Sequence, residues 1–240
     1  MCGVKRRFLC GVIVSLALAV GAPLTALASD VGNGSFEDGD FPQGVAFQML
    51  SSGLPDATSI TGWTVTTGTV DWIESYWTAQ DGTKSLDLNG LGPGAISQTL
   101  TTVVNSTWVI QFYMAGNPDC GDGVKTLTVS ATGAAPQTYT FTNTGATSRG
   151  DMGWTLETYT FVATGTSTDL TFAADPGNPS FCGPALDDVS ATVTVPVELT
   201  GADCKGGGWR SMNDEAGNAF KNQGDCVSSF ATDGETPIRH

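Results

Sequence analysis

An all-β fold, built as an antiparallel β-sandwich, is predicted by three features of the sequence. Between Val31 and Val195 apolar residues recur at every second position in short runs, the period of a strand with one buried face. Gly, Asn, Asp and Pro separate these runs, as turns between antiparallel strands require. Charged residues make up only 14% of the chain while Thr, Ser and Gly abound, a composition suited to exposed sheet faces and poor for helices. No stretch of this region carries a convincing helical period.

The strands follow in order. Trp108, Ile110, Phe112 and Met114 alternate with Val109, Gln111 and Tyr113. Leu127, Val129 and Ala131 alternate with Thr128 and Ser130. Tyr139 and Phe141 flank Thr140, Tyr159 and Phe161 flank Thr160, and Leu170 and Phe172 flank Thr171. Trp63, Trp108 and Trp154 are read as core, the usual place for a lone Trp. In the last strand Asp187 falls in phase with Ala185, Val189, Ala191, Val193 and Val195, on the side expected to face the core.

Residues 1–28 read as a secretory leader: Lys5, Arg6 and Arg7, then the apolar run Leu9 to Val20, then Ala26-Leu27-Ala28 as a cleavage site. The Arg6-Arg7 pair leaves the twin-arginine route open beside the general one. The expected location is therefore secreted or cell-surface associated, with no transmembrane anchor in the mature chain. The sandwich is assigned to 29–195, a linker to 196–203 and a small Cys-bounded module to 204–240. Without the leader, seven basic residues stand against 24 acidic ones, a net charge of −17. Such a surface disfavours nucleic acid and anionic membranes and suits divalent cations.

Four cysteines remain after the leader: Cys120, Cys182, Cys204 and Cys226. An even number in an exported chain implies two disulfides, with three pairings open. Position favours Cys120–Cys182 within the sandwich and Cys204–Cys226 as the staple of a tail too small to have its own core. Zinc is disfavoured, since no C-x-x-C pair occurs and His240 is the lone histidine.

Two acidic motifs stand at opposite ends of the sandwich: Asn33-Gly34-Ser35-Phe36-Glu37 and Gly183-Pro184-Ala185-Leu186-Asp187-Asp188-Val189. A core-facing carboxylate at Asp187 needs a cation or dense hydrogen bonding. Glu37 is its natural partner in holding a Ca²⁺ ion between the first and last strands. The alternative is that both carboxylates only cap loops by accepting backbone N–H groups.

These motifs, with Ile60-Thr61-Gly62-Trp63-Thr64-Val65, Gly68-Thr69-Val70-Asp71-Trp72-Ile73, Asp81-Gly82-Thr83-Lys84-Ser85-Leu86-Asp87-Leu88-Asn89-Gly90 and Met114-Ala115-Gly116-Asn117-Pro118, resemble the choice-of-anchor C family, related to domain of unknown function 642. The resemblance covers about Val31 to Val195. It implies a galactose-binding-like jelly roll of the kind shared by calcium-containing carbohydrate-binding modules. In similar modules the ion is held by the glutamate of the first motif and the first aspartate of the second. Those are Glu37 and Asp187 here, with the carbonyls of Ser35 and Lys84 completing the shell. The tail from Cys204 resembles a Cys-bounded module at the ends of diverse secreted bacterial proteins, and it shows no sortase signal.

For a ligand, the densest aromatic cluster is Trp72, Tyr76 and Trp77, followed by Gln80 and Asp81 as hydroxyl partners. Exposed, this trio would form a stacking platform for sugar rings; in the alternative, Trp72 alternates into the core. Catalysis is not expected. A Ser-His-Asp arrangement would have to use His240, the lone histidine and the terminal residue, and acid pairs such as Asp71 with Glu74 or Asp119 with Asp122 read as chance in so acidic a chain. The sequence thus points to a secreted, non-catalytic binder of extracellular or cell-wall polysaccharide. A surface or matrix protein with a protein partner, recruited through the C-terminal module, is the first alternative, and a polysaccharide hydrolase the second. Asn33 and Asn105 match the N-glycosylation pattern, with Asn105 the more exposed in expectation.

Overall fold

The computed structural model describes residues 25–27, 31–177, 180–196, 199–214, 218–232 and 238–239. The rest of the expected leader lies outside the described residues. Alternation and turns produce twelve strands between Thr25 and Pro196: β1 (Thr25–Leu27), β2 (Phe47–Ser51), β3 (Thr64–Thr67), β4 (Thr69–Ile73), β5 (Ser85–Asp87), β6 (Ala95–Thr101), β7 (Thr107–Gly116), β8 (Gly123–Ala131), β9 (Gln137–Asn143), β10 (Thr155–Val162), β11 (Ser167–Ala174) and β12 (Pro184–Val195). They form two antiparallel sheets, in the orders β10-β7-β12-β5-β4-β2 and β3-β6-β11-β8-β9, with β1 pairing β12 beside the first path.

The sheets stack face to face because each buries one apolar face. Leu50, Val70, Trp72, Leu86, Ile110, Phe112, Met114 and Leu186 of the first sheet meet Val65, Ile96, Leu127, Val129, Leu170 and Phe172 of the second in one core. Aromatic rings cross the layer edge to face. Phe112 lies 5.2 Å from both Tyr139 and Phe172. Trp154 is only half-buried, packed with a second cluster of Ile73, Trp77, Ala115, Met152 and Ala185, and its indole N–H donates to the Thr78 carbonyl.

Asp187 corrects the simple strand phase. The register of β12 against β7 slips between Asp187 and Ser190, and Asp188 takes a left-handed φ of 47°. The extra residue is a β-bulge, which exchanges the faces of everything beyond it. Leu186 before the bulge and Val189, Ala191 and Val193 after it therefore face the core, while Asp187 shares the opposite face with Ala185. Asp187 is still fully buried, because a loop covers it.

The bulge is also where the chain's two motifs meet. The Val189 N–H donates to the Gly34 carbonyl at 2.9 Å, and a Cβ on Gly34 would lie 1.8 Å from the Val189 carbonyl oxygen. Only glycine permits that approach. Asn33 fixes the turn, donating to the carbonyls of Asp38 and Thr61 while accepting from the Asp38 N–H. Phe36 is thereby buried and Glu37 is aimed outward over the loop after β4.

A second compact unit begins at residue 197. Leu199, Cys204, Met212, Phe220 and Cys226 form its core, stapled by the Cys204–Cys226 disulfide. Its described residues include a 3₁₀ segment (Lys205–Ser211), β13 (Met212–Asn213) paired with β14 (Ile238–Arg239), and the α-helix α1 (Gln223–Thr232). Asn222 caps that helix by accepting from the Asp225 N–H.

Candidate functional site

The same alternation that buries Trp72 and Leu86 turns their neighbours outward. Asp71 and Ile73 on β4, Asp87 on β5, and Phe47 and Met49 on β2 share the outer face of the first sheet. Around them, Tyr76 and Trp77 come from the loop after β4, Gly90 and Leu91 from the loop after β5, Asn117 and Asp119 from the turn after β7, and Phe181 from the loop before β12. Together they enclose a cavity of about 240 Å³. The Cys120–Cys182 disulfide ties the turn bearing Asp119 to the loop bearing Phe181, fixing two sides of the rim.

Asp71 and Asp87 are directly opposed across the β4–β5 pairing. Asp87 is buried and accepts from Asn117 Nδ2 at 2.7 Å, the Asn89 N–H at 2.9 Å and the Gly183 N–H at 3.0 Å. A Cβ at position 183 would lie 2.6 Å from Asp87 Oδ1, so glycine is required there. Burial raises the Asp87 carboxyl to about 7 against the opposing pull of these donors, and the Asp71 charge adds to the rise. Asp71 is half-buried and raised by burial to about 6. Among the described residues it has no hydrogen-bond or ion-pair partner, so its lone pairs are left to whatever enters the cavity.

The basic groups near the cavity are already engaged. Buried Lys125 donates through Nζ to the Cys182 carbonyl at 2.9 Å; burial lowers its pKa and the Asp87 charge opposes the shift. Arg149 grips Asp119 with two hydrogen bonds of 2.8 and 2.7 Å, holding that carboxyl below its usual range. Its guanidinium also stands 3.9 Å from the centre of the Tyr76 ring, and Tyr76 Oη donates to Asp119.

The expected aromatic platform is thus rearranged. Trp72 is fully buried in the core with its indole N–H on the Phe36 carbonyl, because β4 alternation turns it inward, and it cannot touch a ligand. Trp77 is 5% exposed, lines the cavity wall and donates to Ser85 Oγ. Tyr76 lines the cavity with Arg149 stacked on its ring. Gln80 is exposed, away from the cavity lining, and its backbone N–H goes to Asp187. The acid pairings considered from sequence do not form: Glu74 lies 3.9 Å from Lys84 and Asp119 is held by Arg149, whereas Asp71 meets Asp87. Phe47, Met49, Leu91 and Phe181, exposed by 42, 37, 76 and 65%, were not singled out as site residues. One signal for the acids lies in the sequence: Asp71 and Asp87 stand in antiphase to Trp72 and Leu86 on two short neighbouring strands.

Glu37 and Asp187 close on one loop. Glu37 Oε1 accepts from the Thr83 and Lys84 N–H groups at 2.7 and 2.6 Å, and Oε2 from Thr83 Oγ1 at 2.8 Å. Asp187 Oδ2 accepts from the Gln80 and Asp81 N–H groups at 2.7 and 3.1 Å, and Oδ1 from the Asp188 N–H at 2.7 Å. Burial raises the Asp187 carboxyl to about 7 in spite of these donors; on Glu37 burial pulls the same way, but its donors together with Lys84 outweigh it and lower the pKa. Lys84 Nζ stands 3.6 Å from Glu37 Oε2. Each carboxylate thus accepts three hydrogen bonds, most of them from backbone N–H groups. Among the described residues no group of three or more His, Cys, Asp or Glu side chains is placed to hold a metal. As arranged, Glu37 and Asp187 form a hydrogen-bonded clamp on residues 80–84.

Halomucin of Haloquadratum walsbyi is 30% identical over 227 residues, which is 88% of this chain and 2% of that protein's length. The chain therefore spans a small fraction of that relative. Among solved structures, TmCBM61 in complex with β-1,4-galactotriose is 17% identical, with 68% of this chain and 97% of that one covered and a TM-score of 0.40. A CBM35 from Paenibacillus barcinonensis is 19% identical, with 55% and 92% covered and a TM-score of 0.39. Residues 29–192 match the family described as protein of unknown function DUF642, and the chain belongs to that family.

Proposed function

We propose that the cavity on the outer face of the first sheet is a non-catalytic binding site for a sugar residue of an extracellular polysaccharide. The observation that carries this reading is Asp71: a half-buried carboxyl without a partner among the described residues, at the wall of a cleft lined by Phe47, Tyr76, Trp77 and Phe181. Sugar rings offer apolar C–H patches to aromatic faces and hydroxyl donors to carboxylates, so this pairing of wall and acceptor matches them. The volume is below the roughly 300–1,000 Å³ of ordinary ligand pockets, which suits one ring of a chain rather than a long groove.

Binding is favoured over hydrolysis by the state of Asp87. Glycoside cleavage needs two carboxyls flanking the scissile bond. Asp87 stands beside Asp71 on the neighbouring strand and is held by three donors, a supporting role rather than a proton-transferring one. Two disulfides accord with an oxidising, extracellular setting. Among the described residues no helix is long and apolar enough to cross a membrane. For the loop at 80–84 the proposal is a clamp made by Glu37 and Asp187 through hydrogen bonds, in place of the ion that the resemblance implies.

The test is retention on a panel of insoluble polysaccharides, comparing the protein with Phe181→Ala. The expected result is retention on at least one polysaccharide, lost in the variant while the melt is unchanged. Equal retention of both proteins would remove the cavity from the account.

A further inference from the structure

The charge balance of the cavity says more about the ligand than its shape does. Three carboxyls line it, at Asp71, Asp87 and Asp119. Two basic groups approach: Arg149, spent on Asp119, and Lys125, buried behind the wall and feeling the Asp87 charge. Glu74 and Lys84, on the adjoining loop, pair with each other at 3.9 Å. Among the described residues that leaves Asp71 as the uncompensated group, directly across from a second acid. Two carboxylates side by side at the edge of a low-dielectric cleft repel, and a monocation seated between them relieves the repulsion. The walls add to the preference, since aromatic faces attract ammonium groups as well as C–H patches.

Resting on the sugar-binding reading above, we propose that the cavity selects sugar residues with a free amine, the unacetylated amino sugars, with Asp71 as the counter-ion of the ammonium. A hydroxyl would give Asp71 a hydrogen bond but no charge. An N-acetyl group would remove the positive charge and crowd the carboxylate with an amide oxygen. A uronate or sulfated sugar would set like charges together, an arrangement that rejects a ligand outright. The excess of 24 acidic over 10 basic residues in the whole chain works in the same direction, drawing a polycationic glycan towards the surface.

The experiment is a calorimetric titration of the full chain at physiological ionic strength with tetramers of glucosamine, N-acetylglucosamine and galacturonate. The variants are Asp71→Asn and, as a control of equal charge change at an exposed site outside the cavity, Asp40→Asn. The expected result is that the free-amine tetramer binds at least about tenfold tighter than the acetylated one, that galacturonate does not bind, and that Asp71→Asn alone removes the preference. Equal affinity for the free and acetylated tetramers would overturn the amine selectivity while leaving sugar binding intact. A preference lost equally in Asp71→Asn and Asp40→Asn would reduce it to general charge attraction and overturn the site. Binding of none of these, with retention on another polysaccharide, would reject the amino sugar and keep the sugar reading; absence of both would reject the two together.

Discussion

Asp71 and Asp87 face each other from adjacent antiparallel strands, both on the side of the sheet turned away from the core, and share one wall of the cavity. Their neighbours Trp72 and Leu86 are fully buried on the other side. The acids are thus held by the same alternation that builds the sandwich.

Burial of these two carboxyls, and of Asp187, sets a pH dependence. All three are raised above their ordinary value, Asp71 to about 6 and the others to about 7, so the folded protein binds more protons than the unfolded chain between about pH 4 and 7. Stability is then highest on the acidic side of that window and falls as pH rises through it. Below about pH 4 the lowered carboxyls of Glu37 and Asp119 reverse the trend as they take up protons. Melting temperature is therefore expected to peak in mildly acidic buffer, and Asp71→Asn should flatten the decline towards pH 7. A melt that rises steadily from pH 4 to 7 would contradict the burial of these carboxyls.

Position 188 gives a backbone test. Asp188 holds a left-handed φ of 47° in the bulge that changes the face of β12. Asp188→Gly should leave the melt within a few degrees, whereas Asp188→Val should cost about 1–3 kcal/mol, since a β-branched residue resists that conformation. Chemical denaturation of the two variants separates the cases.

The clamp on residues 80–84 predicts indifference to calcium. With the carboxylates of Glu37 and Asp187 each accepting three hydrogen bonds, melts in chelator and in millimolar Ca²⁺ should coincide. Glu37→Ala should cost about 1–3 kcal/mol by leaving the Thr83 and Lys84 N–H groups without their acceptor. A rise in melting temperature with Ca²⁺ that disappears in Glu37→Ala would put an ion in place of the clamp.

The two kinds of aromatic should behave oppositely. Trp72→Ala empties a fully buried site and should cost about 3–5 kcal/mol. Phe181, 65% exposed, should be replaceable by Ala within about 0.5 kcal/mol of stability, with its effect confined to binding. Denaturant midpoints of both variants, read beside their polysaccharide retention, check this.

The sandwich and its inward residues were legible because period-two alternation is a local signal, and Trp108 to Met114 carry it without interruption. Asp187 was misread because a bulge is set by how two distant segments meet: Gly34 presses on Val189, and nothing local to β12 announces it. The site was partly legible. Tyr76 and Trp77 do line the cavity, but Trp72 followed its strand into the core. Phe181 and Asp87 join them only through the disulfide and the β4–β5 pairing, which lie far apart in sequence. Meeting points of loops are tertiary facts, and composition alone does not locate them.

The most direct test of the account is an NMR titration of the isotopically labelled protein with a soluble fragment of the polysaccharide that retains it. The account predicts amide shifts clustered at Phe47, Asp71, Asp87, Asn117 and Phe181, with the opposite sheet unchanged. Shifts centred instead on β8 and β9, or on residues 204–226, would contradict the placement of the binding site.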